Sequence, residues 1–203
     1  MGHALKAKKG EFTYADYRTW PDGERWELID GEAYAMSPAP TNHHQLVVGE
    51  MFRHIANFLH GKRCRPFVAP FDVRLGHPEA ADHLVDTVVQ PDISVVCNPE
   101  QLKDNRGCRG APDWVIGVLS PSTALHDQRT KRALYERYGV AEYWLVHPWE
   151  RSLTVYLLVD GRYGLPDLYG PDDTVSPAAF PDLSLRVADW FVDIPLPPDW
   201  DAG

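Results

Sequence analysis

What most constrains this chain is the spacing of its apolar runs. Phe67 to Leu75, Val88 to Cys97 and Trp114 to Leu119 read as extended segments, separated by polar loops around His77 to Asp86 and Asn98 to Ala111. Each run is far short of the roughly 20 residues that cross a bilayer, yet long enough for a strand buried in a sheet. Glu142 to Val146 (EYWLV) and Ser152 to Val159 add two more strands. Ahead of them Thr41 opens a long helix with Val47, Met51, Ile55, Phe58 and Leu59 on one stripe, ending at Gly61. Ser122 or Thr123 caps a second helix that reaches Tyr138 and closes at Gly139. Strands and helices in this order predict the α/β (α+β) class, a mixed sheet flanked by helices. At 203 residues the chain suits one domain, with a core over about residues 12–192 and a short tail at each end.

The N-terminal part reads more locally. Thr13 caps a short helix, YADYRTW, which stops at Pro21-Asp22-Gly23. Arg25 to Asp30 and Glu32 to Met36 form a hairpin around Asp30-Gly31, a favoured two-residue turn. Strand alternation puts Trp26 and Leu28 on one face, Glu27 and Ile29 on the other. Pro38 and Pro40 break the pattern before the long helix, and the closing PLPPDWDAG reads as an edge that frays.

Charge limits what the chain can bind. Twenty Lys and Arg against 29 Asp and Glu give a net charge of −9, whereas sequence-independent DNA binding relies on basic side chains that neutralise phosphates. Contact with DNA must therefore come from a local patch: Lys62 to Arg65, Arg106 with Arg109, or Arg129 to Arg132. Cys64, Cys97 and Cys108 are odd in number and lack CxxC spacing, so buried thiols are expected rather than a disulfide framework or a zinc knuckle. The N-terminus has no apolar stretch of signal-peptide length, and a cytoplasmic protein is expected. The aromatic pairs Tyr143-Trp144 and Trp190-Phe191 suit core packing first and the interface of a homodimer second.

Few residues stand out for chemistry. Asp92 lies within VVQPDISVVC, where a proline marks an edge or bulge and an acid among apolar neighbours is costly to bury alone. A surface aspartate after a proline is the plainer account. Glu27 shares a face with Ile29, so it sits either at a sheet margin or in a site. Lys131 and Asp127, four apart on a helix, make an ordinary exposed ion pair unless something else meets them. His43 and His44 point about 100° apart and read as polar surface. Neither a G-x-S-x-G elbow nor a phosphate-binding glycine loop is present.

Taken in order, WELIDGEAYAMSPAP, His44, FDV at 71–73, Pro91-Asp92, WVIGVLSPST, Lys131, Tyr135 and YGVAEYWLVHP resemble the Uma-type family of bacterial restriction-endonuclease-like proteins. That family is similar in fold to the PD-(D/E)XK nucleases, and the match spans roughly Phe12 to Phe191. The resemblance implies a restriction-endonuclease-like sheet and hydrolysis of DNA phosphodiester bonds with Mg²⁺ or Mn²⁺. It also implies Asp92 and the Val118 carbonyl as metal ligands, Glu27 beside the metal, and Lys131 as the lysine that positions the attacking water. His44, Asp72 and Asp127 fall nearby. The D/E-x-K triplet lands on Gly117-Val118-Leu119, where family members read VIEVLSPST, so a glutamate is missing at Gly117. Metal binding and activity are expected to be impaired, and the rival reading is an inactive binding or regulatory domain on the same fold.

Overall fold

A computed structural model describes residues 10–21, 25–36, 40–120, 124–192 and 194. The expected cap at Ser122 or Thr123, the Asp22-Gly23 stop, Pro38 and the final PLPPDWDAG lie outside those residues. A helix α1 (Tyr14–Tyr17) begins the described chain, with the Asp16 carboxylate accepting the Thr13 N–H at 2.8 Å. It is shorter than the seven residues of the YADYRTW pattern.

Strands β1 (Trp26–Ile29) and β2 (Glu32–Ala35) pair antiparallel, with Ile29 opposite Glu32. The two residues between them, Asp30 and Gly31, both have positive φ (51° and 75°), as the tight hairpin requires. Helix α2 (Asn42–Leu59) starts where Thr41 Oγ1 accepts the His44 N–H, and it buries Val47, Val48, Met51, Ile55 and Leu59.

Two of the expected strands divide, and this corrects the reading above. Phe67 to Leu75 becomes β3 (Arg65–Val68) and β4 (Val73–Arg74); Val88 to Cys97 becomes β5 (Val88–Val89) and β6 (Ile93–Val96). Proline supplies no N–H to a ladder and fixes φ. Pro70, after a cis peptide bond, and Pro91 each sit at the break, and the chain crosses there from one sheet to another. The first sheet has the order β2-β1-β5-β4-β7, where β7 (Cys108–Arg109) pairs parallel with β4.

The second sheet is built on β3, β6, β8 (Trp114–Val118), β9 (Glu142–His147) and β10 (Ser152–Val159), in the order β3-β6-β8-β9-β10. Beyond β10 come β11 (Arg162–Tyr163) and β12 (Asp167–Tyr169), and β13 (Thr174–Val175) with β14 (Leu185–Arg186) forms a separate ribbon. Both faces of this sheet are covered, which is why its strands read as continuous apolar runs. Ile93, Val95, Trp114, Ile116, Trp144 and Val146 pack with α2 and with Trp190 and Phe191 on one face. Val96, Val115, Tyr143 and Leu145 face the other way, against Leu134 and Tyr135. The paired aromatics are thus core residues.

Three helical pieces run on from Ala124: α3 (Ala124–His126), a π-helical turn Asp127–Lys131, and α4 (Arg132–Tyr138), closed by Gly139 at φ 80°. Cys64 and Cys97 form a disulfide, contrary to the thiols expected. Arg65 pairs with Val96 across β3 and β6, so the residues just beyond them fall opposite one another. An odd cysteine count only requires one to be left over, and that is the buried Cys108. No helix among the described residues is long and apolar enough to span a membrane.

Candidate active site

The site assembles where the two sheets meet. β6 and β8 run antiparallel with Ile93 opposite Ile116, and continuing that register places Asp92 across from Gly117. The Asp92 carboxylate accepts the Val118 N–H at 2.7 Å through Oδ2, and its Oδ1 lies 3.3 Å from His44 Nε2. His44 comes from the first turn of α2, whose Thr41 cap fixes where that turn begins. Burial disfavours charge on the His44 ring. The Asp92 hydrogen bond and charge, the Val118 carbonyl and the charge of Asp127 outweigh it and raise the imidazole above its ordinary value. His44 is therefore held against Asp92 rather than free on the surface, and among the described residues its Nδ1 is buried with no hydrogen-bond partner.

A second carboxylate enters from β1. Glu27, 4% exposed, accepts the Gln90 N–H at 2.9 Å and pairs with Lys131 Nζ at 2.9 Å through the same Oε1. Lys131 also lies 3.4 Å from Asp127 Oδ1, so one ammonium serves two carboxylates. This is no exposed i,i+4 pair: the Lys131 side chain is only 12% exposed. Burial pushes the ammonium toward its neutral form, but the charges of Glu27 and Asp127 dominate and hold its pKa well above the usual value. Asp127 and Lys131 bound the π-helical turn, a departure from α geometry that recurs at functional sites. Tyr135 and Tyr143 wall the cluster, their hydroxyl pKa values raised by burial, and Tyr143 Oη donates to the Asp127 carbonyl at 3.4 Å.

Gly117 faces the same cluster. A Cβ built there would meet Tyr143 Oη and Leu145 Cδ2 at 3.5 Å, which is ordinary contact. Its φ lies outside the left-handed range, so neither backbone nor space demands a glycine. Among the described residues, no group of three His, Cys, Asp or Glu side chains is placed to hold a metal ion. Asp92 is taken up by a backbone N–H and a histidine, and Glu27 by a backbone N–H and a lysine. As it stands, this donor set does not fit Mg²⁺, which takes hard oxygen ligands in a near-octahedral array.

The structure thus builds two neighbouring groups, Asp92 with His44 and Val118, and Lys131 with Glu27 and Asp127, and the charges of both reach Tyr135. Asp72 is one step removed: its Oδ1 accepts from Gln90 Nε2 at 2.9 Å, and Gln90 in turn binds Glu27. Gln90 and Tyr17, whose hydroxyl donates to Asp72 Oδ1 at 3.1 Å, went unnoticed in the sequence; only the position of Gln90 beside Pro91-Asp92 hinted at a role. Of the basic patches, Arg106 and Arg109 are committed to Asp82 and Asp104. Lys62, Arg63, Arg65 and Arg129 are exposed.

A crystal structure described as a "putative nuclease belonging to DUF820" from Anabaena variabilis superposes with a TM-score of 0.70. It is 23% identical and covers 89% of this chain and 97% of its own. The fold is therefore a mixed α+β fold of nuclease-like type. The family model described as "Putative restriction endonuclease" (Uma2) matches residues 14–188, and the chain belongs to that family. An uncharacterized protein of Synechocystis sp. is 28% identical over 177 residues, 85% of this chain and 81% of its own.

Proposed function

We propose that this chain is a DNA-directed nuclease domain whose metal-dependent hydrolysis is crippled at one position. One observation supports the reading: Asp92, held by His44 and the Val118 N–H in the register opposite Gly117, and Lys131, held by Glu27 and Asp127, both act electrostatically on Tyr135, near where the resemblance expects a second acidic ligand. With that glutamate absent, Mg²⁺ or Mn²⁺ would have only the Asp92 carboxylate and the Val118 carbonyl from the protein, too few to hold a strongly hydrated ion. A bound metal supplies Lewis-acid polarisation of the phosphate and a more acidic water. What the residues present do is narrower. His44 and the Val118 N–H orient Asp92. Glu27 and Asp127 keep Lys131 charged, a fixed cation for a phosphate or for the negative charge that builds during its hydrolysis. The exposed Lys62, Arg63, Arg65 and Arg129 offer local positive charge to DNA on an acidic protein.

The test compares cleavage of DNA in Mg²⁺ or Mn²⁺ by this chain and by Gly117→Glu, with metal affinity measured on both. Gly117→Glu should bind metal more tightly and cut faster by about 10² to 10⁴, the usual scale for one strong electrostatic group in an active site. Equal activity and equal metal affinity would show that position 117 is no ligand. DNA bound but not cut by either protein would favour the binding-domain alternative.

A further inference from the structure

A shallow, open cleft with about 350 Å³ of space lies beside Gln90, lined by Tyr14, Phe71, Asp72, Arg106, Pro70 and Gly107. That volume lies within the range of small-ligand clefts, about 300–1,000 Å³. Its polar groups are held rather than loose. Gln90, 9% exposed, donates to Asp72 and to Tyr17, and accepts from Arg25 at 2.9 Å. Tyr17 also donates to Asp72 Oδ1 at 3.1 Å. Among the described residues only Oδ1 of Asp72, one of the lining residues, is engaged, and Oδ2 is free to accept another hydrogen bond. Arg106 is fixed by Asp82 and Asp104. Phe71, stacked on Phe67 at 4.2 Å, supplies a flat apolar wall, and the buried Tyr14 backs the lining. Gly107 comes so close to the Asp72 carbonyl that a Cβ would stand 2.1 Å from it.

We infer that this cavity takes one unpaired nucleobase carrying an exocyclic amine, with Asp72 as its acceptor. The inference rests on the nuclease reading and adds a subsite to it. Aromatic walls, a rigid carboxylate and a guanidinium suit a flat heterocycle with donors and acceptors on its edge. Location agrees as well: Gln90 and Asp92 are two residues apart, at most about 7 Å of extended chain, so a base held here would lie within a nucleotide or two of a phosphate brought to Asp92. Thymine has no amine to offer Asp72, and a paired base is not free to enter.

The experiment measures equilibrium binding of oligodeoxycytidine and oligothymidine, each of about 12 nucleotides, to the full chain at slightly alkaline pH. Asp72→Asn is measured alongside, its folding checked by thermal denaturation. The intact chain should prefer the cytidine strand about tenfold, the worth of one good hydrogen-bonded contact. Asn keeps an oxygen for Gln90 and Tyr17 but turns the free acceptor into a donor, so the preference should vanish or invert. Equal binding of both strands by the intact chain, or a preference untouched by Asp72→Asn, would overturn the subsite and leave the nuclease reading standing. Failure to bind either strand would sink both. If Asp72→Asn does not fold, the tenfold preference of the intact chain and its loss in the milder Tyr14→Leu decide the matter.

Discussion

Gly117 separates two demands that usually fall on one residue. The strand around it is complete, with Val115, Ile116 and Val118 buried and Gly117 paired to Leu145. The position is half-buried and has room for a side chain, so packing does not explain the glycine. Its neighbour Lys131 is in the opposite situation, since two carboxylates depend on it. Lys131→Met would leave Glu27 and Asp127 buried and uncompensated, a change that costs about 3–5 kcal/mol in comparable buried pairs. Chemical denaturation should show that loss, and Glu27→Gln in the same chain should recover part of it. A Lys131→Met variant as stable as the parent would mean that the pair is not buried in solution. Local pattern alone did not show the pair, because Glu27 and Lys131 lie in separate elements; the family resemblance put both near one site, and the tertiary fold joins them as an ion pair.

Among the elements, those with strong local signals were legible. The α2 stripe, the Asp30-Gly31 hairpin and the EYWLV strand all formed as their patterns dictate. The divided strands did not show, because an apolar run looks the same whether it stays in one sheet or crosses to another; Pro70 and Pro91 were the only markers. The β4–β7 pairing escaped for a different reason, since two residues in a loop rich in Gly, Asn and charge carry no period. Thr41 bears directly on the site, because its cap sets the turn that presents His44. Thr41→Ala should cost about 1 kcal/mol, the usual worth of an N-cap. The melting temperature reads this directly, and Thr41→Ser should restore it. No change on truncation would argue that water replaces the cap.

For the molecule as a whole, buried charge and the single crosslink are the main levers. Arg74, 3% exposed, pairs with Asp104 at 2.7 and 2.8 Å. The hydrogen bonds from Arg74 hold the Asp104 carboxyl at about 2, against 3.8 ordinarily. A depressed carboxyl stabilises the fold above its unfolded value and loses that contribution as pH falls. Between pH 3.8 and about 2, then, roughly 2 kcal/mol should drain away. Asp104→Asn should be less stable at neutral pH and show a flatter acid limb; an unchanged acid limb would refute the assignment. The disulfide closes a 33-residue separation, worth about 3–4 kcal/mol on loop-entropy grounds. Reduction should lower the unfolding free energy by that amount and the denaturation midpoint with it, and Cys64→Ser should mimic it. A midpoint unmoved by reductant would show that the thiols are free in solution.

That crosslink turns β6 into a short beam gripped at both ends. Cys97 is bonded to Cys64 at one end, while at the other the Asp92 carbonyl takes the Ala69 N–H and its carboxylate takes the Val118 N–H. Neither grip involves a side chain at 117. The scaffold that aims the aspartate therefore does not depend on the residue at 117, and a Gly117→Glu side chain would meet a strand already in shape.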